Sequence, residues 1–175
     1  MEFFHVVTDR PMYVGQHIIF DDTHHSGVYT RVMEKKELVE DIYANPDSYD
    51  AEQLEHHVRV ALRELALEEV RVSQYPTYPS RMSSLYVSRT LEEAEKWFDF
   101  FTEIGRPTFQ IVRINVKGNY FAGNANYCFD GDTDKQKNLA MARKYWRNEA
   151  CEGEEPVIEI LVDGDIEVID IVKER

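Results

Sequence analysis

The chain has 175 residues, and Asp and Glu outnumber Lys and Arg by 33 to 20, which gives a formal net charge of −13. An apolar fraction of 43% and an aromatic fraction of 12% are typical of one globular domain over residues 1–175 and exclude a disordered chain. The acidity argues against a nucleic-acid partner, and no apolar run approaches the ~20 residues of a membrane helix, so we expect neither kind of partner.

The first part of the chain predicts one strand, a long connection and one helix. Residues 2–8 form a predicted buried strand, and an irregular segment over 8–27 follows, interrupted by one proline and two glycines. A short helix is predicted over 31–44, and Asn45-Pro46 ends it.

The clearest helix is predicted over 51–72, where Asp50 and Gln53 have the spacing of a capping box. Its apolar residues recur with the spacing of one helical face: Leu54, Val58, Ala61, Leu62 and Leu65. A turn-rich connector over 73–81 then leads into a predicted strand over 82–88.

A second capped helix follows, with Thr90 as its N-cap, Glu93 closing the capping box and Gly105 at its end. The next strand is predicted over 108–116. Its apolar alternation changes near Ile111, which predicts burial on both faces or a β-bulge.

The last part of the chain contains a loop after Gly118, a helix predicted over 135–148, and strands predicted over 157–162 and 166–172. The Asp163-Gly164 pair between these two strands favours a β-hairpin. Because strands open, interrupt and finish the sequence, the fold class predicted is α+β.

The cysteines do not predict a disulfide framework, and the histidines do not predict a metal site. Two cysteines, Cys128 and Cys151, are too few for a disulfide framework, so a reducing, cytoplasmic compartment is expected. The pairs His24-His25 and His56-His57 are adjacent in sequence, and adjacent side chains point apart, so only one of each pair could bind a metal. No nucleophile motif or glycine-rich phosphate loop is present.

Three apolar strands each contain one polar residue that a core strand would not favour: His5 in FFHVVT, Tyr86 in SLYVS and Glu159 in VIEILV. A histidine or tyrosine in such a position is often only a packing residue. Glu159 is more informative, because a carboxylate among aliphatic side chains costs several kcal/mol unless it has a partner or a task. Its partner could be an arginine in a structural ion pair.

The order His, Tyr, Glu on three strands resembles the ADP-ribosyltransferase fold, in its diphtheria-toxin-like and poly-ADP-ribose-polymerase-like branch. FFHVVT resembles the first motif through His5, LYVSRTLEEAEKW the second through Tyr86 and Ser88, and EEPVIEILVDGDIEV the third through Glu159. The blocks VTDRPM, ALRELALEEVR and YPSRMSSLYVS are also similar to a bacterial family of unknown function over nearly the whole chain. The resemblance implies one domain of split β-sheets with flanking helices.

The resemblance also implies NAD as the substrate and three catalytic residues. Glu159 would stabilise the oxocarbenium-like ribose that forms when nicotinamide leaves. Tyr86 would stack on the nicotinamide ring, and His5 would hydrogen-bond the adenosine ribose. Ser88 would assist at the nicotinamide ribose.

The diphosphate of NAD needs cations or backbone donors. Arg10, Arg71 and Arg81 are the candidates, and Arg81 is favoured because it precedes the strand of Tyr86. Thr8 begins the segment over 8–27, which leaves the strand of His5 directly and would cover the dinucleotide as a lid.

Two features limit the acceptor of the ADP-ribose group. Val157 stands two residues before Glu159, where arginine-modifying members carry a second carboxylate, so arginine is disfavoured as the acceptor. The net acidity disfavours the branches that act on DNA or RNA.

Three hypotheses remain open: an ADP-ribosyltransferase or NAD glycohydrolase acting on a protein or small molecule, a non-catalytic module that binds a nucleotide or a partner, and a structural or interaction protein. The third expects Glu159 to be bonded to an arginine, with no cleft between His5 and Tyr86.

Overall fold

A computed structural model describes residues 1–148 and 153–175, so Cys151 lies outside the described part of the chain. The described residues form an α+β fold, as predicted, with helices and two antiparallel sheets. The helices are α1 (Gly27–Met33), α2 (Lys36–Ala44), α3 (His56–Gln74), α4 (Leu91–Glu103) and α5 (Lys135–Arg147). The strands are β1 (Glu2–Val7), β2 (His17–Phe20), β3 (Leu85–Val87), β4 (Gln110–Lys117), β5 (Tyr120–Asn124), β6 (Ile158–Val162) and β7 (Gly164–Glu174).

The strands divide into two sheets. The first sheet has the order β1-β4-β7-β2, and the second has the order β3-β6-β5. All of these pairs are antiparallel. Aliphatic and aromatic side chains from both sheets, among them Phe3, Val112 and Ile160, form one buried cluster between them.

Helices cover the outer faces of both sheets. The cluster of Val6, Ala94, Phe98 and Ile111 packs α4 against the first sheet, and a second cluster with Leu67, Tyr145, Trp146 and Leu161 packs α3 and α5 against the second. Ile111 and Val112 point to opposite faces and both are buried, and the β4–β7 register shifts between them. The predicted change of alternation at Ile111 therefore reflects both burial on two faces and a bulge.

The capping box of α4 is confirmed, because Thr90 accepts from the Glu93 amide and the Glu93 carboxylate accepts from the Thr90 amide.

The predicted start of the long helix is wrong. Asp50 caps a short 3₁₀ turn over Ala51–Gln53, and α3 begins only at His56. The helix predicted over 31–44 is two helices, with a break between Met33 and Lys36.

The Asp163-Gly164 hairpin prediction is also wrong, because β6 and β7 belong to different sheets. The chain crosses between the sheets here, beside the crossing from β4 to β5, and the Asp163 amide donates to the Asn119 carbonyl at 3.1 Å. A Cβ on Gly164 would lie 2.3 Å from the Lys117 carbonyl oxygen, and one on Gly118 would lie 2.1 Å from that of Asp163. The two crossings therefore touch through their backbones, and glycine is required at both positions.

The two sheets also meet at an isolated bridge between β1 and the residue that follows β3. The Phe4 amide donates to the Ser88 carbonyl at 2.9 Å, and the Ser88 amide donates to the Phe4 carbonyl at 2.8 Å. This bridge brings β1 next to β3, and β3 pairs with β6.

The loop that follows β5 packs tightly on α3 at Gly131. A Cβ there would lie 2.4 Å from both the Arg59 carbonyl oxygen and the Leu62 Cβ atom. Gly131→Ala should therefore lower the free energy of unfolding by about 1–3 kcal/mol, because the loop must move away from the helix backbone. Urea unfolding measures this, with Gly27→Ala as the control, since a Cβ on Gly27 meets nothing within 4 Å. Equal effects of the two substitutions would contradict the prediction.

Candidate functional site

The strands that contain His5, Tyr86 and Glu159 are consecutive neighbours. The Phe4–Ser88 bridge joins β1 to β3, and β3 pairs with β6 in a register that sets Tyr86 opposite Leu161. Glu159 lies two residues before Leu161, so its side chain shares a sheet face with that of Tyr86.

His5 lies next to the Phe4–Ser88 bridge and contacts the backbone of β3. Its Nδ1 atom lies 2.8 Å from the Tyr86 carbonyl oxygen. Because a carbonyl oxygen can only accept, Nδ1 must carry the hydrogen of the neutral ring. Burial lowers the pKa of His5 to about 4, although the bond to Tyr86 opposes this shift. At neutral pH the ring is therefore uncharged, and Nε2 is a hydrogen-bond acceptor.

Tyr86 and Ser88 differ in exposure. Tyr86 is 42% exposed, whereas Ser88 is buried, and its backbone forms the bridge to Phe4. The Arg81 guanidinium lies over the Tyr86 ring, 5.6 Å from its centroid. The ring thus combines an exposed surface with a cation–π contact.

Glu159 is bonded to an arginine, as the structural hypothesis expected. Arg81 Nη1 donates to Glu159 Oε1 in a short ion pair, and the Tyr145 hydroxyl donates to the same oxygen at 2.5 Å. The Cys128 thiol lies 3.8 Å from it, and burial raises the pKa of that thiol to about 11, so it is protonated at neutral pH. The Glu159 side chain is 12% exposed.

Arg81 is shared between two carboxylates. Its Nε atom lies 3.0 Å from Glu64 Oε2 on α3, while Nη1 bonds Glu159 and Tyr145. Arg81 is 7% exposed and Glu64 is 4% exposed. Burial alone would lower the pKa of Arg81, but Tyr86, Glu64 and Glu159 hold it well above its usual value.

The other two predicted phosphate-binding arginines occupy contrasting environments. Arg71 on α3 bonds the Glu68 carboxylate and the Tyr78 carbonyl, and therefore ties the connector over 73–81 to the helix. Arg10 has an 89% exposed side chain, 3.7 Å from Asp9. Since Arg71 and Arg81 are both engaged within the protein, Arg10 is the candidate with donors open to a ligand, close to Thr8 at the end of β1.

The segment over 8–27, expected to be an irregular lid, contains β2, which pairs with β7 along the first sheet. The Gly15 amide donates to the Val168 carbonyl at 2.8 Å. The far end of the segment reaches the neighbours of Arg81, because the Ser26 amide bonds the Met82 carbonyl and His25 bonds Ser83. The lid role stays a prediction.

Three members of the site were not predicted from the sequence: Glu64, Tyr145 and Cys128. Glu64 could have been found, since it lies one helical turn after Ala61 in the apolar stripe of α3 and is, like Glu159, a carboxylate among aliphatic residues. Tyr145 lies on α5 and packs among aromatic residues, so its sequence position indicates a packing role and gives no sign of a polar one.

Two cavities lie away from this cluster. One, of about 190 Å³, is bounded by α2, α3 and α5 near Tyr43 and Leu139. The other, of about 140 Å³, lies between α1 and the start of α3. Neither is lined by His5, Tyr86 or Glu159.

Within residues 1–148 and 153–175, no three His, Cys, Asp or Glu side chains cluster in a way that could hold a metal ion. Over the same residues, no helix combines the length and the apolar character needed to cross a membrane.

The comparisons identify a family but no activity. A search of curated proteins found no match to the chain. The model of the family described as "Protein of unknown function (DUF2441)" matches residues 3–174, nearly the full length, and the chain therefore belongs to this family.

Proposed function

We propose that the protein binds NAD where the two sheets meet and transfers its ADP-ribose group to a protein or small-molecule acceptor, or to water, with release of nicotinamide. One observation supports this most: β1, β3 and β6 are neighbours, so residues far apart in sequence, His5, Tyr86 and Glu159, belong to one region. The proposal also includes an ADP-ribosyltransferase-like fold. The isolated bridge between the two sheets at Phe4 and Ser88 supports this part of the proposal.

The properties of the three residues suit the parts of NAD. The neutral His5 ring offers Nε2 as an acceptor for a ribose hydroxyl. The exposed Tyr86 ring offers a surface on which the cationic nicotinamide can stack. The Glu159 carboxylate offers negative charge near a ribose that becomes positive.

The reaction breaks the bond between the nicotinamide nitrogen and C1′ of the ribose, and the bonding electrons leave with nicotinamide. The acceptor oxygen or nitrogen then forms a new bond to C1′ and gives its proton to Glu159 or to solvent. Arg10 would contact the diphosphate, because its side chain is exposed, whereas Arg71 and Arg81 have protein partners.

The test is nicotinamide release from labelled NAD by the purified protein, with candidate proteins, small molecules and water as acceptors. Glu159→Gln should reduce the rate at least ~100-fold, because charge stabilisation of this kind is worth 10²–10³ in kcat. Glu37→Gln, which makes the same change on the exposed face of α2, serves as the matched control and should keep the wild-type rate. Equal rates for wild type and Glu159→Gln would contradict the catalytic role.

The Arg81–Glu159 ion pair favours a second candidate, a non-catalytic module that uses the same surface to bind a nucleotide. Thermal unfolding with NAD, ADP-ribose or nicotinamide added distinguishes this module from the enzyme. A higher unfolding temperature without nicotinamide release supports the module. If none of these compounds raises the unfolding temperature and no nicotinamide is released, a structural or interaction role is supported. In that role the ion pair only joins β6 to the segment between α3 and β3.

A further inference from the structure

The hydrogen bonds to the Glu159 carboxylate are asymmetric. In the described part of the chain, the contacts from Arg81, Tyr145 and Cys128 all end on Oε1. A carboxylate held by several donors at one oxygen has a fixed orientation, and its other oxygen keeps its lone pairs for a further partner.

The donors are themselves fixed by the helices behind the sheet. Arg81 Nη1 donates to the Tyr145 hydroxyl at 2.8 Å, and that hydroxyl donates to Glu159 at 2.5 Å. Since the hydroxyl has one hydrogen, accepting from Arg81 leaves it a single direction in which to donate. Glu64 anchors the opposite side of the same guanidinium from α3.

The charges of this cluster balance. Arg63 Nη2 lies 3.1 Å from Glu64 Oε1, so two guanidinium groups compensate the carboxylates of Glu64 and Glu159. Removal from water strengthens such contacts when each charged group has an oppositely charged partner, and each charged group of this cluster has one.

We infer that Tyr145, Arg81 and Glu64 are positioning residues that hold Glu159 Oε1, so that Oε2 faces the reacting ribose. This inference rests on the proposed function. It assigns the Arg81–Glu159 ion pair a role in orienting the carboxylate, in place of the diphosphate contact first expected of Arg81.

Tyr145→Phe tests the role with little change in packing, because the ring stays among Phe121 and Trp146 and only the hydroxyl is lost. The expected result is a kcat for nicotinamide release ~100-fold lower with a KM within about twofold of wild type, since misplacement of a reacting group by about 1 Å costs that much. Combined with Glu159→Gln, the substitution should have almost no further effect.

Tyr43→Phe is the matched control. It also removes a phenolic hydroxyl that takes part in hydrogen bonding, accepting from Asn138 Nδ2 at 2.8 Å, but outside this cluster. A purely structural role for Tyr145 predicts that both variants lower the unfolding temperature and leave kcat unchanged.

The outcomes separate the two proposals. An active wild type with an unchanged kcat in Tyr145→Phe overturns the positioning role and leaves the proposed function standing. A wild type without nicotinamide release overturns the proposed function and the positioning role together. A loss of kcat in Tyr145→Phe, with Tyr43→Phe active, supports both.

Discussion

Replacing Arg81 by methionine should lower the free energy of unfolding by about 3–5 kcal/mol, the usual cost of removing one partner from a buried ion pair. The guanidinium pairs both with Glu64, which lies on α3, and with Glu159, which lies on β6. Methionine fills similar volume but leaves Glu159 without a cation and Glu64 with only Arg63. Urea unfolding at pH 7 measures the change.

Two further proteins show whether charge causes the loss. The triple variant Arg81→Met, Glu64→Gln, Glu159→Gln should recover part of the stability, because no unpaired carboxylate remains. Arg10→Met should change stability by less than ~0.5 kcal/mol, since Arg10 is exposed and its contact with Asp9 is long. A single variant as stable as the triple would contradict an electrostatic origin.

Lowering the pH from 6.5 to 4 should cost the wild type up to ~3 kcal/mol more stability than the variant His5→Asn. Burial lowers the pKa of folded His5 from 6.5 to about 4. Between pH 6.5 and pH 4, His5 is therefore protonated in the unfolded chain but neutral in the folded chain. This contribution is fully present above pH 6.5 and is lost as the pH falls to 4. Asparagine keeps a donor for the Tyr86 carbonyl but does not titrate.

His17 provides a contrast of opposite sign. Its hydrogen bond to Asp165 raises the pKa of His17, so its contribution is fully present below pH 6.5 and is lost as the pH rises through the folded pKa. Chemical unfolding of wild type, His5→Asn and His17→Asn from pH 4 to 8 distinguishes the two histidines. Parallel curves for wild type and His5→Asn would show that His5 is not shielded from protonation.

The sequence predicts α4 and α5 because local signals determine them. The Thr90 capping box lies within four residues, and the predicted helix over 135–148 differs from α5 by one residue. The strands β2 and β5 were missed, since each is short and lies in a segment interrupted by glycine or asparagine. Their pairing depends on distant strands, which no local pattern reveals.

The Asp163-Gly164 pair shows the same limit at a turn. Gly164 has a φ of +86°, as a tight turn would require, but the chain uses this freedom to pass Lys117 and enter the other sheet. Local chemistry thus predicts that the chain bends there, whereas the neighbouring crossing decides where it goes next.

The candidate site, too, could be predicted only in part from the sequence. An isolated carboxylate in an apolar strand identified Glu159, and the need for a partner made an arginine an expected alternative. The identity of that arginine, and the roles of Glu64 and Tyr145, depend on how α3 and α5 pack behind the second sheet. Arg81 was predicted to bind phosphate because its position before β3 is visible in the sequence, whereas its burial is not.

The order of strands in the first sheet has a consequence for folding. The last strand in sequence, β7, is an inner strand between β4 and β2, and β2 pairs with it near the other end of the chain, with His17 opposite Glu167. Contacts this distant in sequence must pay the entropy of closing a long loop before they contribute stability, which slows folding. During synthesis, β2 therefore cannot pair with β7 until residues 164–167 have been made.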